Sequence, residues 1–464
     1  MFERLAFSHT FHSEVFARGE LNVLRFVIGV AAIGLLSFGA HAQSSEQVQN
    51  AEQASVEHDM MSMPGMNMSF GLEWMPSAHV SSGTGWQPAA TPIQGWMKMF
   101  DGWDVMAHGV IFVDYNQQGG QRGEGKAESS DWLMLMEQHN AASGTLLFRE
   151  MFSGESLTDP HPGFPELFQT GETYHGKPLV DHQHPHNVFG ELAFDYTHAV
   201  GEKVSWLLYG GAAGEPALGP VAFLHRASAA ELSMAPLSHH LQDSTHISFG
   251  VVTTGLVFER YRLKVEGSLF NGREPNEKRY TIQFAPLDSW SARLSLAPSR
   301  NWTMQYSYGR LEKPEALEPG SQRRQTASVE FVRPVGAGSW ATSAVWGRVH
   351  KVANGHTLNG YLLESTLNFK LRYYAFSRLE LVDKDELFPE NPVLPSYRIG
   401  AYAFGGERDL LRQRLWHLAL GADLTFYSKP ASLNAAYGRN PVSFEIFFRA
   451  RPASSHQHAD AHTP

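Results

Sequence analysis

The stretch "DSWSARLSLA", Asp288 to Ala297, decides the fold. Trp290, Ala292, Leu294 and Leu296 alternate with Ser289, Ser291, Arg293 and Ser295. Side chains of a strand point to opposite faces in turn, so this alternation describes a strand with one apolar and one polar face. "NWTMQYSYG", Asn301 to Gly309, and "YRLKVEGSL", Tyr261 to Leu269, repeat it. A soluble sandwich would show the same local pattern. Three features favour an antiparallel transmembrane β-barrel. Many strands run about 9 to 14 residues, the length of a tilted bilayer span. Aromatics gather near strand ends, among them Trp132, Trp206, Trp290, Trp302, Trp340, Trp346, Tyr373, Tyr374, Trp416 and Tyr427, as an interfacial girdle requires. Short turns follow the even-numbered strands and mostly long connections follow the odd ones. The count is about sixteen strands, and an even count agrees with closure.

Composition sets the remaining bounds. The chain has 464 residues, no cysteine, a net charge of -10 and 23 histidines. Disulfides, thiolate metal sites and cysteine nucleophiles are excluded. The acidic balance argues against a nucleic-acid partner. Arg18 and Arg25 precede "FVIGVAAIGLLSF", which ends at "AHA", Ala40 to Ala42. This reads as a signal peptide over residues 1–42. Residues 43–95 read as a disordered periplasmic leader. The barrel is expected over 96–452, and 453–464 as a disordered tail containing His456, His458 and His462. No N-terminal plug domain is recognisable. The expected location is the bacterial outer membrane, with lipid as a partner. Sixteen strands are also compatible with a homo-oligomer.

Two groups of residues suggest metal chemistry. In the leader, "HDMMSMPGMNM" holds Met60, Met61, Met63, Met66 and Met68, and thioethers are soft ligands that suit Cu(I). The second group lies in two long external connections. "VDHQHPHN", Val180 to Asn187, closes the first, which also contains Asp159, His161, Glu166 and His175. The second contains His225 and "PLSHHLQDSTHISFG", with His239, His240, Asp243 and His246. The bearing strands are neighbours, so the clusters should meet at the mouth or fold inward. His182, His184 and His186 alternate and can share a direction, although Pro185 interrupts the strand geometry. Three readings stand side by side. Imidazoles and carboxylates can hold copper or another divalent transition metal. A loop folded into the lumen needs His, Asp, Asn and Gln to satisfy its backbone. "SHHLQDS" offers Ser238, His239, Asp243 and Ser244 to a hydrolase, but without a nucleophile-elbow signature.

The motifs "LVDHQHPHN", "GEPALGPVAFLHR", "HHLQDSTHISFGVVT", "EGSLFNGREPNE", "LDSWSARLSLAPSRNWT" and "YGRNPVSFEIFFRARP" resemble a family of uncharacterised predicted bacterial outer-membrane β-barrel proteins, over roughly Trp103 to Pro452. The resemblance implies a barrel and no activity. The Met/His leader is similar in composition to copper-resistance outer-membrane proteins. The expected role is a non-enzymatic channel or binding protein for a small solute or metal ion, linked to copper handling. A structural or adhesive barrel with a plugged lumen is the main rival. Arg262, Lys264, Glu266, Arg293, Glu330, Glu445 and Arg449 are expected to face the lumen, either lining it or pairing with each other.

Overall fold

The computed structural model describes residues 71–453 apart from 73, 160–161 and 392–394. The expected signal peptide, the five leader methionines, His161 and the three tail histidines lie outside the described residues.

Sixteen long antiparallel strands close on themselves. They are β1 (Trp103–Gln117), β2 (Asp131–Ala141), β3 (Gly144–Phe152), β4 (Phe189–Gly201) and β5 (Val204–Gly214). Then come β6 (Ser248–Phe258), β7 (Leu263–Phe270), β8 (Ser289–Ser299), β9 (Trp302–Glu312), β10 (Ser321–Val335) and β11 (Gly338–Lys351). The last are β12 (Thr357–Phe369), β13 (Tyr373–Lys384), β14 (Tyr397–Arg412), β15 (Trp416–Ser428) and β16 (Val442–Pro452). β16 closes the circle by pairing Phe444 to Ala450 with Gln117 to Ile111 of β1. Two short strands complete the ladder beside β1. Trp96–Phe100 pairs with its first residues, below β16. Gly125–Glu128 pairs with its last residues, above β2.

The alternation read from sequence is realised in the barrel wall. On β8, Trp290, Ala292 and Leu294 face out while Ser289, Ser291, Arg293 and Ser295 are buried. On β16, Val442, Phe444, Ile446 and Phe448 are exposed, and Ser443, Glu445, Phe447 and Arg449 are buried. An apolar outer face on a sheet with no free edge is what hydrocarbon demands, because the backbone N–H and C=O groups pair strand to strand within the wall. The protein is an outer-membrane barrel, and by the usual rule its short turns face the periplasm. Three expected girdle residues turn inward instead. The Tyr374 hydroxyl accepts from Arg451, Tyr427 donates to Gln118, and Trp132 stacks edge-on against His225. Arg262 is not in a strand. It sits at a short turn with φ 49°, so β7 starts one residue later, at Leu263.

The lumen is filled by its own chain. The segment 153–188 folds inward from β3, and 215–247 from β5. Residues 74–95, expected to belong to a disordered leader, form a third piece. This strap is buried from Ser81 to Trp86 and meets the wall through polar contacts that its sequence does not advertise. Gly83 N donates to Glu191 (2.9 Å), Arg293 donates to Thr84 (2.8 Å), and Lys264 donates to the Thr84 carbonyl. Gly83 has φ +60°, and a Cβ there would lie 2.5 Å from the Glu215 carbonyl oxygen. The wall charges pair with each other and with the plug: Lys264 and Arg293 with Glu266 (3.0 and 3.2 Å), and Arg449 with Glu407 and Asp409 of the wall and Glu231 of the segment 215–247.

Strap docking is expected to depend on pH. Ser82 donates to Glu215, the first residue after β5. Burial pushes the Glu215 carboxyl up to about 8, with Glu191 and Asp243 reinforcing it and Arg293 and Ser82 opposing. The unfolded chain loses that proton at the ordinary carboxyl value and the folded one only near 8. Stability is therefore lost as pH rises through that window. Limited proteolysis of the strap is expected to be faster at about pH 9 than at about pH 6. Glu215→Gln should flatten the difference. Equal cleavage of the wild type at both values would contradict this.

Candidate metal centre

Two local structures carry the histidines inward. In the segment 153–188, Glu172–Tyr174 pairs with Lys177–Leu179 around a two-residue turn. His175 and Gly176 make that turn at φ 53° and 70°. His182–Gln183 then pairs with Phe164–Pro165, and Pro185 ends the ladder. In the segment 215–247, a single helical turn, α1 (His239–Gln242), is followed by a 3-10 turn, Ser244–His246. The helix presses on the wall at Gly347 of β11. A Cβ there would lie 2.1 Å from the Leu241 carbonyl oxygen, so only glycine lets α1 come this close.

The result is a closed ring of five imidazoles. Ring centroids are 6.0 Å apart for His240 and His184, 6.2 Å for His184 and His186, and 5.2 Å for His186 and His246. His246 and His239 are 5.0 Å apart, and His239 and His240 5.2 Å. Phe223 packs against His186, His239 and His246. On one side of the ring, Glu172, His184 and His240 each offer one donor atom, and the three atoms lie within 4.8 Å of one another. Both ring nitrogens of His240 are buried without a hydrogen-bond partner among the described residues. Its ring lies against Gly171, where a Cβ would meet it at 2.8 Å.

The rest of the ring is oriented by two carboxylates and a backbone carbonyl. His186 Nδ1 is 2.7 Å from Glu155, and His239 Nδ1 is 2.6 Å from Asp243. His246 Nδ1 is 2.8 Å from the Asp243 carbonyl. Such contacts hold the proton on Nδ1 and leave Nε2 as the free donor. The Nε2 atoms of His186 and His246 have no hydrogen-bond partner among the described residues. Asp243 is itself held by Arg226 (2.8 Å) and Phe223 N (3.0 Å), and Arg226 reaches Glu364 of β12 at 2.6 Å.

Burial sets the protonation states. It pushes the His240 and His246 imidazoles well below their ordinary range, and neighbouring imidazoles add to this. It lowers His184 too, against the opposing pull of Glu172. For the carboxylates, burial acts upward but loses. His184 and Arg279 hold Glu172 well below the usual range, and His239 and Arg226 do the same for Asp243. Neutral imidazoles beside an ionised carboxylate are the protonation states a metal requires.

The structure sorts the residues singled out in sequence. His184, His186, His239, His240, Asp243 and His246 converge. His182 does not: it turns to Glu124 (3.4 Å). His175 stands exposed at the hairpin tip beside Tyr174. His225 leaves the ring and meets Trp132 and His108. Asp159 pairs with Lys126 (2.9 Å), and Glu166 with Gln169 (3.1 Å). The hydroxyls of Ser238 and Ser244 are engaged by Glu380 and Arg324 rather than by His239. Glu172, Glu155 and Arg226 escaped sequence reasoning. Each lies many residues from the histidine it serves, inside segments with no periodic pattern.

No protein-family model matches the chain, and no curated protein does. Solved structures similar to it include an anion-selective porin from Comamonas acidovorans, with 8% identity and a TM-score of 0.45, covering 75% of this chain and 99% of that one. OmpF of Salmonella typhi in complex with daunomycin has 7% identity and a TM-score of 0.47, covering 76% and 100%. A loop-deletion mutant of OmpT, an outer-membrane protein of Vibrio cholerae, has 8% identity and a TM-score of 0.44, covering 76% and 100%. None of these speaks to the chemistry of the histidine ring.

Asp243→Ala leaves Arg226 with one carboxylate instead of two and strands His239 Nδ1 and Phe223 N. The expected cost is about 3 kcal/mol, read from denaturant unfolding of the refolded barrel in detergent. His175→Ala, at the exposed tip, should cost less than about 0.5 kcal/mol. Equal stability of the two variants would show that Asp243 organises nothing.

Proposed function

We propose that this outer-membrane barrel binds a divalent transition metal inside its lumen, at a centre built by its own plug. The observation that carries the reading is the trio Glu172, His184 and His240, with one donor each within 4.8 Å. Two imidazoles and a carboxylate form a donor set of intermediate softness. It suits Zn(II), Cu(II) or Ni(II) better than calcium or magnesium, which prefer all-oxygen shells. A metal would replace the contact between His184 Nε2 and Glu172 (2.7 Å). His184 Nδ1 faces the Pro185 carbonyl at 3.0 Å and can then carry the single ring proton. Glu172 and His184 come from one plug segment and His240 from the other, so a bound ion ties the two together. The leader methionines Met60, Met61, Met63, Met66 and Met68 extend the reading to copper on composition alone.

A second reading, passage of a small solute, is favoured by one cavity. It has a volume of about 540 Å³ and opens beside the short turn at Ala142 and Ser143, lined by Gln138, Asp195, Thr197 and Lys264. Solute flux through it requires the plug to shift.

Titration of the refolded full chain with Co(II) and Zn(II), followed by visible absorption and calorimetry, tests the first reading. One equivalent should bind. Glu172→Gln and His240→Phe should each weaken it by at least about tenfold, as loss of a ligand does. His175→Ala should not. Unchanged binding in both ligand variants would overturn the reading. Solute flux in proteoliposomes without any metal binding would favour the second.

A further inference from the structure

The outer wall carries a row of cations at its external end. Residues 313–320 connect β9 to β10 outside, and the turn from β10 to β11 at Gly336 and Ala337 lies on the periplasmic side. Arg310 therefore stands near the external end of β9, Arg323 near that of β10, and Arg348 and His350 near that of β11. Arg310 lies directly across from Arg323, and Arg323 directly across from His350. Arg348 comes two residues before His350 on the same face, opposite Gln325. Arg323 and Arg348 are exposed on the lipid-facing side, and Arg310 is half exposed. Opposed Cβ atoms of neighbouring strands are about 5 Å apart and diagonal ones about 7 to 8 Å. The long side chains of Arg323 and Arg348, a diagonal pair, can therefore close on one anion.

The protein supplies no such anion. Like charges directly opposite on a sheet are destabilising, yet the outward carboxylates of these strands are engaged elsewhere. Glu312 is held by Arg310 at 2.8 Å, and Asp383 of β13 by Arg398 of β14 at 2.8 Å. Among the described residues Arg323 and Arg348 have no ion-pair or hydrogen-bond partner. The row is also local. Where β16 meets β1, the exposed external positions are Val442, Phe444, Val113 and Tyr115.

Below the cations the same face turns aromatic. Tyr308 pairs with Gln325, and the next row reads Tyr306, Ala327, Trp346 and Tyr361 across β9 to β12. The small Ala327 leaves a low track along β10 between Tyr306 and Trp346. Aromatic belts mark the boundary between headgroups and hydrocarbon. Cations just outside the belt stand at the depth of lipid phosphates.

We propose that Arg310, Arg323 and Arg348 bind a phosphate of the phosphorylated glycolipid that forms the outer leaflet, with an acyl chain lying along β10 over Ala327. The guanidinium fork presents paired N–H donors that match phosphate oxygens. The aromatic track selects the lipid over a free anion, which would gain nothing from Tyr306 or Trp346. The site is independent of the Glu172 centre, which lies inside the lumen.

Native mass spectrometry of the refolded full chain in detergent, with bisphosphorylated lipid A added, tests this. One lipid should be retained per barrel. Lipid A stripped of its phosphates should bind at least about tenfold more weakly, and Arg323→Gln combined with Arg348→Gln should cause a similar loss, because each surface arginine adds to the attraction for an anionic lipid. Removing the same charge at the periplasmic rim, by Arg333→Gln with Arg408→Gln, should leave retention unchanged. Those two arginines are exposed on the same outer wall, against Trp340 and Tyr373. Millimolar inorganic phosphate should not displace the lipid. Displacement would assign the row to free anions and overturn the proposal. Equal binding of the two lipids, or an equal loss in the periplasmic pair, would overturn it as well.

Discussion

The plug segment that carries His239 and His246 depends on one buried charge. Arg226 is fully buried and is held between Asp243 of the plug and Glu364 of the wall, at 2.8 and 2.6 Å. An isolated guanidinium in such a place would be prohibitively unfavourable, and two carboxylates make it tolerable only where they stand. Arg226 therefore specifies position more than it adds stability. Glu364 also receives Arg378 (3.2 Å) and Ser228 (2.9 Å). Asp243 fixes His239 and the turn that carries His246. Plug, wall and histidine ring share this one junction.

The same low-polarity interior gives the histidines their chemistry. At the surface they would be partly protonated near neutral pH and repel a cation. Burial holds His184, His240 and His246 below that range, and the ionised Glu172 supplies the charge that a divalent ion needs. Carboxylates behind His186 and His239 set the tautomers without occupying the inward-facing nitrogens. The polar plug reading and the metal reading are thus compatible. The groups that satisfy the plug backbone also orient the donors, as when Glu155 accepts from both the His186 backbone N–H and its ring.

The wall was legible in sequence because its signal is local. Each strand repeats a period of two, and "DSWSARLSLA" shows in ten letters which residues meet lipid. The fourteenth and fifteenth strands form at Tyr397–Arg412 and Trp416–Ser428. The histidine cluster was legible as composition but not as geometry. Nothing in "VDHQHPHN" says that His182 turns away, because its partner Glu124 lies 58 residues earlier in the chain. Glu172 and the strap were illegible for another reason. Their partners lie far off in sequence, as with Gly83 and Glu191, 108 residues apart. Such pairings leave no periodic trace.

The central claim is that the plug brings Glu172, His184 and His240 together as a metal centre within the barrel. Anomalous diffraction from crystals of the full chain grown with Zn(II), recorded on either side of the zinc edge, tests it most directly. The account predicts an anomalous peak among those three side chains, with the Arg226–Asp243–Glu364 junction intact beside it. Zinc found only elsewhere, with His184 still bonded to Glu172, would contradict it.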